Sequence, residues 1–451
     1  MPAAAAPSSS RAKQGTARKG QTSGKASTSA SHQQSLEHRL LLTATFCLLA
    51  IGAVMVYSAS SATTLLQGQG NAGGDLIRFV AYGAVGLLVM RMLARDGVAR
   101  VQGITAPLLA ISFLLVLAVH VPGLGVSVNG ARRWLGRGAL LFEPSELMKL
   151  ALVLYASTLL ARRPKRVNSL RELANPLLFV VAAACLLVVT QPDLGTAMVI
   201  AFTVVALLVA AGIPLEKLLV LGAGTAVLVF IYALAEPYAR SRLTSFLDPW
   251  AHASGSGFQA VQGQIAIGSG GLFGTGPGQS VQKIFYLPEA PTDFILAVLA
   301  EEFGAAGVCV LMFLYGLIGF AGLRAAKKAR SVHSALIAVG VTALIVSQAL
   351  LNTFAVLGLA PLTGVPLPFV SYGSSSLIVM MAAMGLLLNV AAGGSAHVRA
   401  VSTPRRGSAD VRARKAARWD GERSAQEDRD RRGRDRRARR AGARGGGRAA
   451  S

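Results

Sequence analysis

The chain has 451 residues, of which 53% are hydrophobic and only 15% charged, and it carries a net charge of +24. A soluble protein of this length has more charge and spreads its apolar residues at helical or strand periods, whereas here they gather into blocks. That excludes an ordinary soluble enzyme and indicates an integral membrane protein.

Residues 1–38 are mostly Ser, Ala, Gly, Lys and Gln, a composition that buries too little apolar surface to offset ordering entropy, so a disordered basic tail is expected. Ten apolar blocks follow, at roughly 39–61, 75–93, 104–121, 145–161, 175–190, 195–212, 216–235, 293–322, 335–357 and 369–392. Each is close to the ~20 residues that cross a bilayer as a helix. The fifth and sixth are divided only by Thr190-Gln191-Pro192-Asp193-Leu194, where Pro192 and Asp193 break the helix. Residues 393–451 are rich in Arg, Gly, Ala and Asp and form a second tail expected to be disordered. The expected architecture is an all-α integral membrane protein of about ten transmembrane helices, with the polytopic domain at 39–392.

Lys and Arg set the orientation of such a protein, because they are retained in short cytoplasmic loops. With ten spans, the N-terminal tail, Arg95 and Arg100, Arg162 to Arg166, Lys217, Arg324 to Arg330 and the C-terminal tail all fall on one side. Both termini are therefore expected in the cytoplasm, with a large extracytoplasmic loop, 236–292, between helices 7 and 8. Most of the positive charge lies in the tails, where attraction to anionic membrane lipids accounts for it, and no nucleic-acid partner is expected. Cys47, Cys185 and Cys309 lie inside apolar blocks and suggest neither disulfides nor a zinc site. The first apolar block is long enough to span and follows a long tail, so no cleavable signal peptide is expected.

Several polar stretches interrupt this pattern. Asn129-Gly-Ala-Arg132-Arg133-Trp134, with Arg137, puts three arginines in a loop assigned to the outer side. They are either tolerated charge or a cationic site for phosphate, which Arg grips in bidentate fashion. Glu143-Pro144-Ser145-Glu146 starts the fourth span, with Ser145 as a candidate N-cap. Glu146 and Lys149 share a face there, so Lys149 either pairs with Glu146 or reaches a carboxylate at the start of the eighth span.

The 236–292 stretch is not low-complexity and is expected to be an ordered loop with short interfacial helices near Trp250 and Phe258. Its Gly268 to Gly278 segment lacks the ending of a nucleotide-binding P-loop and reads as a hinge or close-packed turn. The loop ends at Asp293, a carboxylate at the mouth of an apolar segment, where it is costly unless partnered or used. Deeper in that segment, Glu301 reads as a packing partner for buried polar groups rather than a proton relay. Between the last two spans, Pro366-Leu-Pro-Phe-Val-Ser371-Tyr372-Gly373 breaks the helix and is either a structural re-entrant turn or a ligand-lining one.

Taken together, Asn129 to Trp134, Pro144-Ser-Glu146 with Lys149, Gln191-Pro-Asp-Leu-Gly-Thr196, Leu287-Pro-Glu-Ala-Pro-Thr-Asp-Phe294 and Pro366 to Gly373 resemble the SEDS (shape, elongation, division and sporulation) family of bacterial peptidoglycan polymerases. The resemblance runs from about 39 to 392. It departs at Glu143, where the family usually has Gln, at Pro291, where it usually has His, and at Ser374, where a second Gly is common. Gln279-Ser280-Val281-Gln282-Lys283 looks like the division branch rather than the elongation branch.

The resemblance implies a lipid II glycosyltransferase that extends an undecaprenyl-linked glycan chain by inverting β-1,4 transfer, with its active site on the extracytoplasmic face of the plasma membrane at the division septum. It implies Asp293 as general base, and Arg132, Arg133, Glu146, Lys149, Asp193, Lys283, Glu289, Thr292, Ser371 and Tyr372 as substrate-binding residues. It implies no tightly bound cofactor. The leaving diphosphate is compensated by Arg132, Arg133, Arg137 or Lys149, or by a divalent cation (Mg or Mn) held partly by Asp193. The implied partners are a class B penicillin-binding protein and other divisome proteins. A lipid II flippase and a scaffold without chemistry are the rival readings.

Overall fold

The computed structural model describes residues 21–66, 73–128, 131–138, 141–162, 174–284 and 286–393, with Gln426 and Arg429 in the C-terminal tail. The described residues up to 393 form one compact unit. Its helices are α1 (Gln21–Leu66), α2 (Gly74–Ala118), α3 (Pro144–Arg162), α4 (Phe179–Val189), α5 (Leu194–Ala210), α6 (Leu215–Ala235), α7 (Pro237–Leu247), α8 (Phe258–Gly270), α9 (Ile295–Lys327), α10 (Val332–Val356) and α11 (Ser374–Ala391). Helix α1 reaches back to Gln21, into the stretch expected to be a disordered tail. Among the described residues, eight segments are long and apolar enough to cross a membrane, and two shorter apolar helices, Pro176–Val189 and Leu194–Ala210, coincide with the fifth and sixth blocks of the sequence. The molecule is a multi-pass, essentially all-helical membrane protein.

Helix α2 carries two of the expected spans, Gly74–Arg95 and Gly97–Ala118. As a straight rod its 45 residues would extend about 67 Å, more than twice the ~30 Å hydrocarbon core. The chain turns back instead, and contacts at both of its ends show this. Arg78 lies beside Tyr372, whose backbone N–H reaches Pro291 O at 2.9 Å. At the other end, Val116 O accepts from Gln191, beside Arg133. Both ends therefore lie on the Asp293 side. Asn389 of α11 donates to Ala94 O (2.9 Å) and Arg95 O (3.0 Å), fixing the far end of the pair where the turn is made.

Helix α11 is the centre of the molecule: 89% of its span is buried, against 6% for α6. It packs most extensively on α2, and the Met380, Met381, Met384 and Leu386 to Leu388 side chains fill a core shared with α1, α9 and α10. A second core joins α3, α4 and α5 through Met148, Leu152, Ala184, Ile200 and Leu207. Helix α6 leaves Leu219, Val220, Leu228 and Phe230 exposed, as a lipid-facing helix does.

A small antiparallel hairpin that no sequence pattern announced, β1 (Gly125–Val128) with β2 (Ala131–Leu135), pairs Val126 with Trp134 and Ser127 with Arg132. Its turn residues, Asn129 and Gly130, lie outside the described residues. The 236–292 stretch contains two short helices, α7 and α8, but Trp250 is exposed and α8 packs inward on α9 rather than lying free at an interface.

Candidate functional site

Asp293 closes a tight turn immediately before α9. Glu289 starts the turn at φ +56, a strained left-handed conformation for a non-glycine residue, and its carbonyl accepts from Thr292 N (3.1 Å) and Phe294 N (3.4 Å). The Thr292 hydroxyl lies 3.0 Å from Glu289 Oε2 and 3.2 Å from Asp293 Oδ1. The buried Asn352 side chain of α10 donates to Asp293 O (2.7 Å) and Val365 O (2.9 Å), tying this turn to the loop before α11. Burial first, and the Glu289 carboxylate second, push Asp293 up to about 6, against the opposing pull of Arg242 and Thr292.

The proline-rich loop at 360–373 is held by buried polar side chains that satisfy its carbonyls, as non-helical backbone at membrane depth requires. Gln348 donates to Pro366 O (3.0 Å), Asn352 to Val365 O and Tyr315 to Pro368 O (2.6 Å). Ser371 Oγ accepts from Leu367 N (2.8 Å), so its hydroxyl shapes the turn. Gly364, at φ +69, faces the charged groups. A Cβ at that position would lie 3.6 Å from Arg133 Nη1, 3.9 Å from Arg242 Nη1 and 3.9 Å from Asp293 Oδ2. Two guanidinium groups and one carboxylate thus border the same small space, which glycine leaves open.

Arg133 arrives there from β2, and only 6% of it is exposed. It donates to Gln191 O (3.2 Å) and Pro192 O, and lies 3.6 Å from Asp193 Oδ1. Asp193 also caps α5 through Thr196 N (3.1 Å), because a carboxylate at this position satisfies one orphan amide of the helix. Arg132, one residue earlier in the strand, points the other way and is exposed, as is Arg137. Among the described residues no group of three or more His, Cys, Asp and Glu is arranged to hold a metal ion. The Asp193 carboxylate fits a divalent cation poorly, since its Oδ1 already serves the α5 amide and Arg133.

Lys149 is fully buried and bonds to Glu146 Oε1 (2.9 Å) and Gln348 Oε1 (2.7 Å). The i, i+3 spacing made the Glu146 pairing legible; the alternative, that Lys149 reaches Asp293, is not what the structure contains. Ser145 does not cap α3, which begins at Pro144; its hydroxyl donates to Glu143 Oε1 (3.0 Å). Burial, then Glu146 and Asp193, push Glu143 up to about 8, so it holds a proton at neutral pH. Lys283 lies away from this space, bonded to Glu302, Ser58 and Gly278 O. Tyr372 is half-buried beside Arg78, and burial raises its hydroxyl above the usual tyrosine range.

A model of the FtsW/RodA/SpoVE family, described as "Cell cycle protein", matches residues 38–395. The chain belongs to this family. Among its relatives is the Stage V sporulation protein E of Bacillus subtilis (strain 168), 39% identical over 352 residues that cover 78% of this chain and 96% of that protein. Another is a probable peptidoglycan glycosyltransferase FtsW of Coxiella burnetii (strain RSA 493 / Nine Mile phase I), 41% identical over 355 residues, 77% of this chain and 94% of that one. A solved structure described as "Structural coordination of polymerization and crosslinking by a peptidoglycan synthase complex" superposes with a TM-score of 0.65 at 32% identity, covering 78% of this chain and 96% of its own.

For a member of the FtsW/RodA/SpoVE family, the structure adds residues to the site that the motifs did not supply. Arg242 is the clearest: its Nη1 donates to Leu362 O (2.7 Å) while the guanidinium faces Asp293. In the sequence it was one cation among several in a long loop, and the only usable signal was its place on the first amphipathic turn-forming segment after the seventh block. Gln348 and Asn352 read as ordinary polar residues inside an apolar block, four apart and so on one helical face.

Proposed function

We propose that this protein is a peptidoglycan glycosyltransferase that polymerises lipid II, in septal wall synthesis during cell division. The observation that carries the reading is the convergence of Asp293, Arg133 and Arg242 around Gly364. Family membership and the names of the relatives, glycosyltransferases of the FtsW type among them, support it.

In this reading the GlcNAc 4-hydroxyl of one lipid II is the acceptor and the undecaprenyl-linked glycan is the donor. Asp293, ionised above about pH 6, takes the hydroxyl proton as the 4-oxygen attacks the donor anomeric carbon. The bond from that carbon to the diphosphate oxygen breaks with inversion, turning an α-linked donor into a β-1,4 glycan. The departing diphosphate carries its charge away without a general acid, because guanidinium groups compensate it in a partly desolvated site. Arg133 and Arg242 supply that compensation, and the exposed Arg132 offers a first contact. Glu146, Lys149 and Asp193 hold the floor of the site, Glu289 and Thr292 orient the base, and Ser371 and Tyr372 shape the opposing wall. No step is assigned to Mg or Mn, because Asp193 is already committed.

The proposed topology has ten spans, both termini in the cytoplasm, and the 236–292 loop with the site on the extracytoplasmic face. The two shorter apolar helices supply the ninth and tenth crossings, and the distribution of Lys and Arg supports the orientation. The proposed partner is a class B penicillin-binding protein; the likeness to a synthase complex supports it. The test uses the purified protein with labelled lipid II, with and without that partner, resolving products on a gel. A ladder of glycan polymer is expected, strongest with the partner. Lipid II that crosses proteoliposome membranes with no polymer formed would establish a flippase instead.

A further inference from the structure

Helix α9 is broken at Gly304 (φ +66), and this break and the loop leading to Asp293 are fastened together by a buried ion pair. Lys283 Nζ donates to Glu302 Oε1 (2.8 Å), Ser58 Oγ (2.9 Å) and Gly278 O (2.8 Å), which uses all three of its hydrogens. Ser58, from α1, donates in turn to Glu302 Oε1 (2.5 Å). Lys283 is 4% exposed and Glu302 1%, so the ammonium has neither the access nor the spare hydrogens to meet an incoming sugar or diphosphate.

The neighbouring carboxylate completes the fastening. Glu301 accepts from the Ser280 hydroxyl, from Val281 N (2.9 Å) and from Gln282 N (3.5 Å). Two consecutive acidic residues of α9 thus grip the Gly278 to Lys283 turn from both sides. Further along the same segment, Tyr372 N holds Pro291 O and Asn352 holds Asp293 O. The stretch that presents the base is anchored at its start by Lys283 and at its end by backbone bonds.

We propose that Lys283 is a positioning residue for glycan transfer: through Glu302 and Ser58 it fixes the loop that aims Asp293, and so sets the rate rather than the affinity for substrate. The proposal rests on the glycosyltransferase reading above. A buried ion pair contributes little net stability compared with an apolar pair of the same volume, so its value here lies in holding one geometry. A displacement of the base by about 1 Å is enough to cost on the order of 100-fold in rate.

The test compares wild type, Lys283→Met and Glu302→Gln, each in complex with the partner transpeptidase, by steady-state lipid II polymerisation and by hydrogen–deuterium exchange. Lys283→Met is expected to lower kcat about tenfold or more with KM unchanged within about twofold. Exchange should quicken across 278–293 and stay as in wild type across α10 and α11. A raised KM with kcat kept would show that Lys283 binds substrate and would overturn the proposal, as would unchanged kcat and unchanged exchange. If Lys283→Met does not fold, Glu302→Gln is judged by the same criteria. Wild type that makes no polymer would refute the glycosyltransferase reading, while the exchange comparison would still decide whether the pair holds the loop.

Discussion

In the proposed reaction Asp293 is a base tuned by its walls. Lost hydration and the facing Glu289 raise its affinity for a proton, and Arg242 limits the rise, which leaves it at about 6. A base must be ionised to accept a proton, so the polymerisation rate should climb as pH rises through about 6 and level off above it. Initial rates across that range measure this limb directly. Glu143→Gln should leave the limb where it is, because the groups that shift Asp293 are Glu289, Arg242 and Thr292, and Glu143 is not among them. At this scale the sequence marked Asp293 as a carboxylate at the mouth of an apolar segment, and Arg133 as one of three arginines in a loop assigned to the outer side. Arg242 was not, because its approach to Asp293 is made by the path of α7 and the 360–373 loop, which no local pattern encodes. Nor was the Lys149 to Gln348 bond, which joins α3 to α10.

Among the elements, α9 shows how a broken helix is made affordable in an apolar setting. Gly304 departs from helical geometry at φ +66, and four backbone groups on either side of the break pair with the Gly-rich loop. Thr275 N and Gly276 N donate to Glu301 O and Glu302 O, while Ala305 N and Ala306 N donate to Gly271 O and Leu272 O. The Gly268 to Gly278 stretch is therefore a close-packed turn, one of the two readings its composition allowed. A Cβ at Gly304 would lie 2.5 Å from Gly274 N and Leu272 C, with no flexible side chain to move aside. Gly304→Ala should lower thermal stability in detergent by about 1–3 kcal/mol or more and abolish polymer formation. Gly316→Ala, on the same helix with open space around it, should leave both near wild type. The eighth apolar block looked continuous because Glu301 and Glu302 interrupt it without ending it; the break falls at a glycine whose role depends on a loop that precedes it in sequence.

For the molecule as a whole, hydropathy located the apolar blocks but not their order in space. Among the described residues, eight segments long and apolar enough to span and two shorter apolar helices fall on the blocks, because each helix must satisfy its own backbone in lipid and so announces itself by length and composition. What composition did not encode was centrality. Helix α11 is walled in on nearly all sides while α6, of similar hydropathy, faces outward, since apolar residues suit either lipid or a protein core. The enclosed interior that results lets three charged side chains meet beside Gly364 in low dielectric, where their influence on one another and on a diphosphate is strongest.

In the proposed reaction Asp293 performs the proton abstraction of glycan polymerisation. The direct measurement is polymer formed from labelled lipid II by Asp293→Asn and by wild type, each bound to the class B penicillin-binding protein and present at equal levels in the membrane. Loss of about 100-fold or more with unchanged insertion and partner binding is predicted; polymer from the variant equal to that from wild type would contradict the account.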